Sequence, residues 1–257
     1  MPRLRAMVDY RVPEQSMTSD LPVPTRALAI GAHPDDAEFG AGGTLAKWAA
    51  AGTQATILVL TDGSKGSWDP SLRPSDLVRM RMNEQTRAAE ALGVDSTLNL
   101  SHVDGELDYT MELRAEVCLW IRRLRPDVVL AHDPWRRYML HPDHRATGWA
   151  AIDGVVAARD HLFFPEQLTD GLTYHRPSAL LLWAADEADH FEDVTGFVDH
   201  KVAALLSHSS QATTTMDGAG DSLEATEAFR LEIDDRARTV GNEAGLARAE
   251  AFKRITP

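Results

Sequence analysis

Uncharged apolar runs alternate with stretches of helical period along the first 160 residues, and that alternation predicts the fold. Ala27–Ala32 (A-L-A-I-G-A) carries no charge and reads as a buried strand, with Arg26 at its entrance. Thr44–Ala51 follows as a helix with Leu45, Trp48 and Ala49 on one face and Gly52 as its stop. Gln54–Thr61 holds a continuous apolar run, the pattern of a strand covered on both faces. Asp76–Leu92, closed by Gly93, carries the stripe Leu77, Met80, Glu84, Ala88 and Ala91. Glu84 is the odd member, and Arg81 stands at i−3 as the expected partner.

Ser96–Leu100 predicts a short strand, Thr110–Leu124 a helix and Asp127–Ala131 another buried strand. A loop rich in Pro, Trp and Arg runs from His132 to Leu140, and the small-residue stretch Arg145–Ala158 predicts a helix. This strand–helix alternation argues for an α/β protein, a Rossmann-like three-layer sandwich around a mostly parallel sheet. The remainder is irregular. Ala179–Trp183 reads as a strand, Gly196–Ser207 as a helix, Ala212–Gly220 as a flexible polar segment and Leu223–Thr239 as a charged amphipathic helix. Residues 1–24 read as an N-terminal arm or edge extension, and 25–257 as a single domain, a size that the 257-residue chain supports.

Composition narrows the classes. The formal net charge of −13 denies the chain the basic field that nucleic acid needs. No apolar run approaches the roughly 20 residues of a membrane span. Residues 1–24 lack the apolar core of a secretory signal. A lone cysteine, Cys118, rules out an internal disulfide and fits a reducing, cytoplasmic setting. It falls on an amphipathic helix, as a small apolar core residue would. The acidic surface neither requires nor excludes a homo-oligomer.

The chemistry concentrates in a repeated tripeptide. His-Pro-Asp occurs at His33 and again at His141, each time after an apolar strand or its exit loop and each time before a helix. A parallel sheet puts both at the same carboxyl edge. Taken singly, each residue has an ordinary explanation: a histidine at a strand end, or Asp36 or Asp143 capping a helix. Taken together they supply what a hydrolytic metal site needs. Two imidazoles and a carboxylate leave a zinc ion one open position, and a second carboxylate can accept a proton from water. The glycines at Gly40, Gly42 and Gly43 do not make a dinucleotide site. Their spacing is wrong, and Asp35 and Asp36 just before them would repel a pyrophosphate.

At these residues the chain resembles the LmbE-like (PIG-L) family of zinc-dependent N-deacetylases. The resemblance spans roughly Arg26 to Gln211. It is carried by A-H-P-D-D-A-E (Ala32–Glu38), L-T-D-G (Leu60–Gly63), R-x-x-E (Arg81–Glu84) before A-x-x-L-G (Ala89–Gly93), D-G-x-L (Asp104–Leu107), R-P-D-V-V (Arg125–Val129), H-P-D-H (His141–His144) and H-x-S-Q (His208–Gln211). It implies removal of an N-acetyl group from an N-acetylglucosamine conjugate. His33, Asp36 and His144 would hold Zn2+, although the same ligands accept Fe2+. Asp35 would be the general base. His141, as imidazolium, would steady the oxyanion, and Asp143 would orient His141. Arg81 and Asp104 would lie near substrate hydroxyls; a plain salt bridge to Glu84 is the other reading of Arg81. Some members carry a tyrosine close before H-P-D-H, where this chain has Met139 and Leu140, with Tyr138 one step further back. An amidase for glucosamine-based thiol conjugates, or an inactive metal- or sugar-binding relative, are the competing expectations.

Overall fold

The computed structural model describes residues 17–257. The first sixteen residues of the expected arm lie outside that range. The elements run β1 (Thr18–Ser19), β2 (Arg26–Gly31), α1 (Asp36–Ala50), β3 (Gln54–Thr61), α2 (Pro74–Leu92), β4 (Ser96–His102), α3 (Met111–Leu124) and β5 (Val128–His132). There follow α4 (Pro142–Ala158), β6 (Ala179–Trp183), β7 (His190–Asp193), α5 (Val198–Leu206), α6 (Ala212–Thr215), α7 (Leu223–Ala244) and β8 (Ala249–Ile255). The strands form one sheet in the order β1-β7-β8-β6-β5-β2-β3-β4. Among the described strands, β8 alone runs antiparallel to its neighbours.

Period-two alternation sorts the strand side chains into two layers. Ala27, Ala29, Ile57, Val59, Leu130 and Leu181 face one way, against α1 and α2. Leu28, Ile30, Leu58, Leu60, Val129 and Leu180 face the other, against α3 and α4. Cys118 is buried in this second layer, as expected. The connections reverse direction at β2. From it the chain steps out to β3 and β4, then returns to pair β5 on β2's other side. Ligand sites in such sheets form at that switch point, outside the carboxyl ends of the strands. Both His-Pro-Asp elements lie there.

Several boundaries differ from the sequence reading. Helix α1 begins at Asp36, eight residues before the expected Thr44, and takes the glycines into its body. They permit close packing: a Cβ on Gly40 would stand 2.5 Å from the Trp183 ring. The helix kinks at Ala41, and the Glu250 carboxylate accepts from the freed amides of Gly43 and Thr44 at 3.0 and 2.8 Å. Helix α4 starts at Pro142, so H-P-D-H is its first turn and not the end of a loop. Residues 212–220 are folded, with Met216 and Ala219 buried against α7. Strands β7 and β8 have no counterpart in the sequence reading.

Candidate active site

Strand β2 delivers His33 to the sheet edge, and Pro34 breaks the strand. Asp35 takes φ 102° and ψ −24°, a left-handed backbone unusual for a residue with a side chain. That turn sends the carboxylates of Asp35 and Asp36 in different directions. Asp36 accepts from the His33 amide at 2.7 Å. Beyond the loop that leaves the neighbouring strand β5, His141 caps α4 by accepting the Asp143 amide on Nδ1 at 3.3 Å. His144 lies on the same first turn.

The three expected ligands converge. His33 Nδ1 is 3.2 Å from His144 Nε2, and Asp36 oxygens lie 3.5 Å from the former and 3.3 Å from the latter. Two imidazole nitrogens that close can share only one proton, and a carboxylate closes the third side. This donor set suits a divalent cation of the zinc or iron(II) type. Among the described residues three groups lie close enough to hold an ion: His33, His141 and His144; Asp36, His132 and His144; and a rival cluster of His33, Asp104 and Asp143. Its carboxylates are already engaged by amides: Asp143 accepts from Gly105 at 2.7 Å and Leu107 at 3.2 Å, and Asp104 from Lys65 at 3.0 Å. His33 Nε2 lies 3.1 Å from Asp104 and 3.2 Å from Asp143. A ligating imidazole commonly has such a carboxylate behind its far nitrogen, which fixes the tautomer and leaves the other lone pair for the ion.

Charge follows the same arrangement. Burial alone would push the His33 imidazole down, but Asp104, Asp143 and Asp36 outweigh it, and its pKa is pushed up to about 12. Burial also works to raise Asp36, yet His144 and His132 hold it well below the usual carboxylate range. Burial pushes Asp35 up to about 6, opposed by the Arg81 guanidinium and reinforced by Asp36. Burial, then the His33 and His144 rings, push His141 below its ordinary value. Since His141 Nδ1 accepts the Asp143 amide, the ring's proton belongs on Nε2.

Two expected side-chain pairings differ from the sequence reading. The Asp143 carboxylate sits against His33 and not His141. Asp104 lines the cavity, and its carboxylate also lies 3.1 Å from the same His33 ring. Arg81 does not pair with Glu84. Its guanidinium donates to the Pro34 carbonyl at 2.6 Å and the Gly63 carbonyl at 3.2 Å, and lies 3.4 Å from Asp35. Glu84 instead accepts from the Ser209 hydroxyl and from the Ser210 amide and hydroxyl, at 2.6 to 2.9 Å. The His208–Gln211 motif is thereby tied to α2.

Sequence reasoning missed two residues. His132, at the end of β5, stacks on His144 with ring centroids 4.2 Å apart. It faces Asp36 at 3.1 Å, while its Nδ1 accepts from Trp183 Nε1 at 3.0 Å. Gln85, one turn after Arg81 on α2, touches the Asp35 backbone. Neither belongs to a short motif; a histidine closing a strand beside H-P-D-H was the one available signal. The site opens into a cavity of about 770 Å³, whose wall includes Phe39, Trp68, Arg136, Met139 and Arg236. Tyr138 is outside this wall and 86% exposed.

Residues 28–155 match the family model PIG-L, GlcNAc-PI de-N-acetylase. Diacetylchitobiose deacetylase of Thermococcus kodakarensis is 38% identical over 186 residues, 72% of this chain and 70% of that protein. A 1D-myo-inositol 2-acetamido-2-deoxy-alpha-D-glucopyranoside deacetylase of Actinosynnema mirum is 30% identical over 242 residues, 78% of this chain and 85% of the other. The solved structure of N,N'-diacetylchitobiose deacetylase from Pyrococcus horikoshii superposes with a TM-score of 0.81 at 31% identity, covering 91% of this chain and 84% of that one. Fold, site and relatives define a hydrolytic enzyme, an N-deacetylase. The chain belongs to the PIG-L (LmbE-like) family.

Proposed function

We propose that this N-deacetylase hydrolyses the acetamide of an N-acetylglucosamine conjugate with one divalent cation, Zn2+ or Fe2+, held by His33, Asp36 and His144. The observation that carries this reading is the convergence of His33 Nδ1, His144 Nε2 and the Asp36 carboxylate within 3.5 Å of one another. The cation, when bound, would lower the pKa of water and polarise the acetyl carbonyl.

The remaining steps fall to the chain. Asp35, buried and lining the cavity, takes one proton from water as the water oxygen adds to the acetyl carbon. Neutral His141 donates from Nε2 to the developing oxyanion; a preorganised donor of this kind acts where charge appears. The C–N bond then breaks, the amine nitrogen takes the proton from Asp35, and acetate and a free amine leave. Asp143 and Asp104 keep the His33 ring in one tautomer.

The relatives named above act on N-acetylated glucosamine compounds, which supports that substrate class. A cavity of about 770 Å³ is roomy enough for a sugar bearing a further group. The test is acetate release from N,N'-diacetylchitobiose and from N-acetylglucosaminyl inositol, with Asp35→Asn and His144→Ala alongside. Release by the wild type with loss in both variants supports the reading. Wild-type turnover in both variants overturns it.

A further inference from the structure

Helix α2 holds one peptide bond of the active site from both ends. Arg81 donates to the Pro34 carbonyl at 2.6 Å, and the Asp35 amide donates to Gln85 Oε1 at 3.3 Å. The two side chains are at i and i+4, so they leave the same face of the helix one turn apart. The peptide between Pro34 and Asp35 lies between them. All four residues are in or beside the catalytic edge, and Arg81 and Gln85 are 3% and 4% exposed.

Gln85 is itself fixed. Its Nε2 donates to Glu38 Oε1 at 2.5 Å, which settles the orientation of its amide and turns Oε1 to Asp35. Glu38 is fully buried on α1 and has His208 3.7 Å away. This device has something to hold. Asp35 keeps a left-handed φ of 102° that only surrounding contacts sustain. Its own side chain makes no cap bond at the start of α1. A relaxed backbone here would swing the carboxylate away from the reacting water.

We propose that Gln85, backed by Glu38, is a positioning residue for Asp35: with Arg81 it forms a two-point clamp on the Pro34–Asp35 peptide that aims the carboxylate. The inference rests on the reading of Asp35 as the base. Gln85 touches no substrate or reacting atom and acts through the Asp35 backbone alone.

The test is a double-mutant cycle on metal-loaded enzyme with Gln85→Met, Asp35→Asn and the pair. Gln85→Met keeps volume and removes the acceptor. The expected result is a fall in kcat of about 10- to 100-fold, in line with the cost of a misplacement near 1 Å, with KM and metal content unchanged. In the Asp35→Asn background the same change has no further effect on kcat, since the carboxylate it would aim is gone. Gln85→Asn, one methylene short, guards against failure to fold and falls between wild type and Gln85→Met. The inference is overturned if Gln85→Met leaves kcat unchanged, if it lowers metal content together with kcat, or if its effect is equal in the Asp35→Asn background. Full activity of Asp35→Asn alone would instead remove the base assignment, a separate outcome.

Discussion

His33 Nε2 and Asp143 Oδ2 meet at 3.2 Å, and both Asp143 oxygens are held by the amides of Gly105 and Leu107. A buried carboxylate pinned in this way is a rigid stop for the imidazole ring. It links α4 to the strand that carries the first His-Pro-Asp element, so the two halves of the site are coupled before any ion arrives. Asp143→Asn preserves shape but removes the charge. Metal affinity should fall about 10- to 100-fold, as for other carboxylates behind a ligating imidazole. Competition with a chelator measures it, and unchanged affinity would show that the ring needs no such support.

Gly40 and Trp183 define a second contact. The Trp183 ring stands where a Cβ on Gly40 would go, and its Nε1 is committed to His132. The indole cannot retreat without breaking that bond. Gly40→Ala should cost about 1–3 kcal/mol of stability, the range for overpacking a filled core. Urea unfolding reads the change, and stability equal to wild type would mean that the packing yields freely.

His208 supplies a pH signature. It is fully buried, with Glu38 from α1 at 3.7 Å, Asp35 from the turn before α1, and Arg81 from α2 as the charged groups around it. Burial works to lower the imidazole; Glu38 and Asp35 outweigh it and Arg81 opposes them, so the pKa is raised above the ordinary 6.5. A raised pKa in the folded state means that protonation favours folding. The contribution is complete below about 6.5 and fades as pH climbs through the raised value. The stability gap between wild type and His208→Gln should therefore narrow between pH 6 and pH 9. A gap that is constant or widens over that range would contradict the sign.

Much of the sheet was legible because its strands are buried on both faces. Leu28–Ile30, Ile57–Leu60 and Val128–Ala131 carry no polar interruption, and each stands as a strand. The paired His-Pro-Asp elements were legible for a different reason: strand–turn–helix order alone sends them to one edge. Strand β8 escaped because its residues Glu250, Lys253 and Arg254 mask the alternation; Glu250 is buried only because it caps the kinked α1 and pairs with Lys201. The start of α1 escaped because glycines argue against a helix locally, while Trp183 and Val194 press close against them in the fold. Partners of Asp143, Glu84 and Gln85 come from distant segments. Spacing along one helix could offer Glu84 only Arg81, whereas the fold offers it Ser209 and Ser210.

The central claim is that His33, Asp36 and His144 share one cation. Anomalous diffraction at the zinc edge from crystals of the metal-loaded protein tests it most directly. The account predicts a single peak at bonding distance, about 2.0–2.2 Å, from His33 Nδ1, His144 Nε2 and an Asp36 oxygen. A peak lodged instead between His33 Nε2, Asp104 and Asp143, or no peak in an enzyme that still releases acetate, would contradict it.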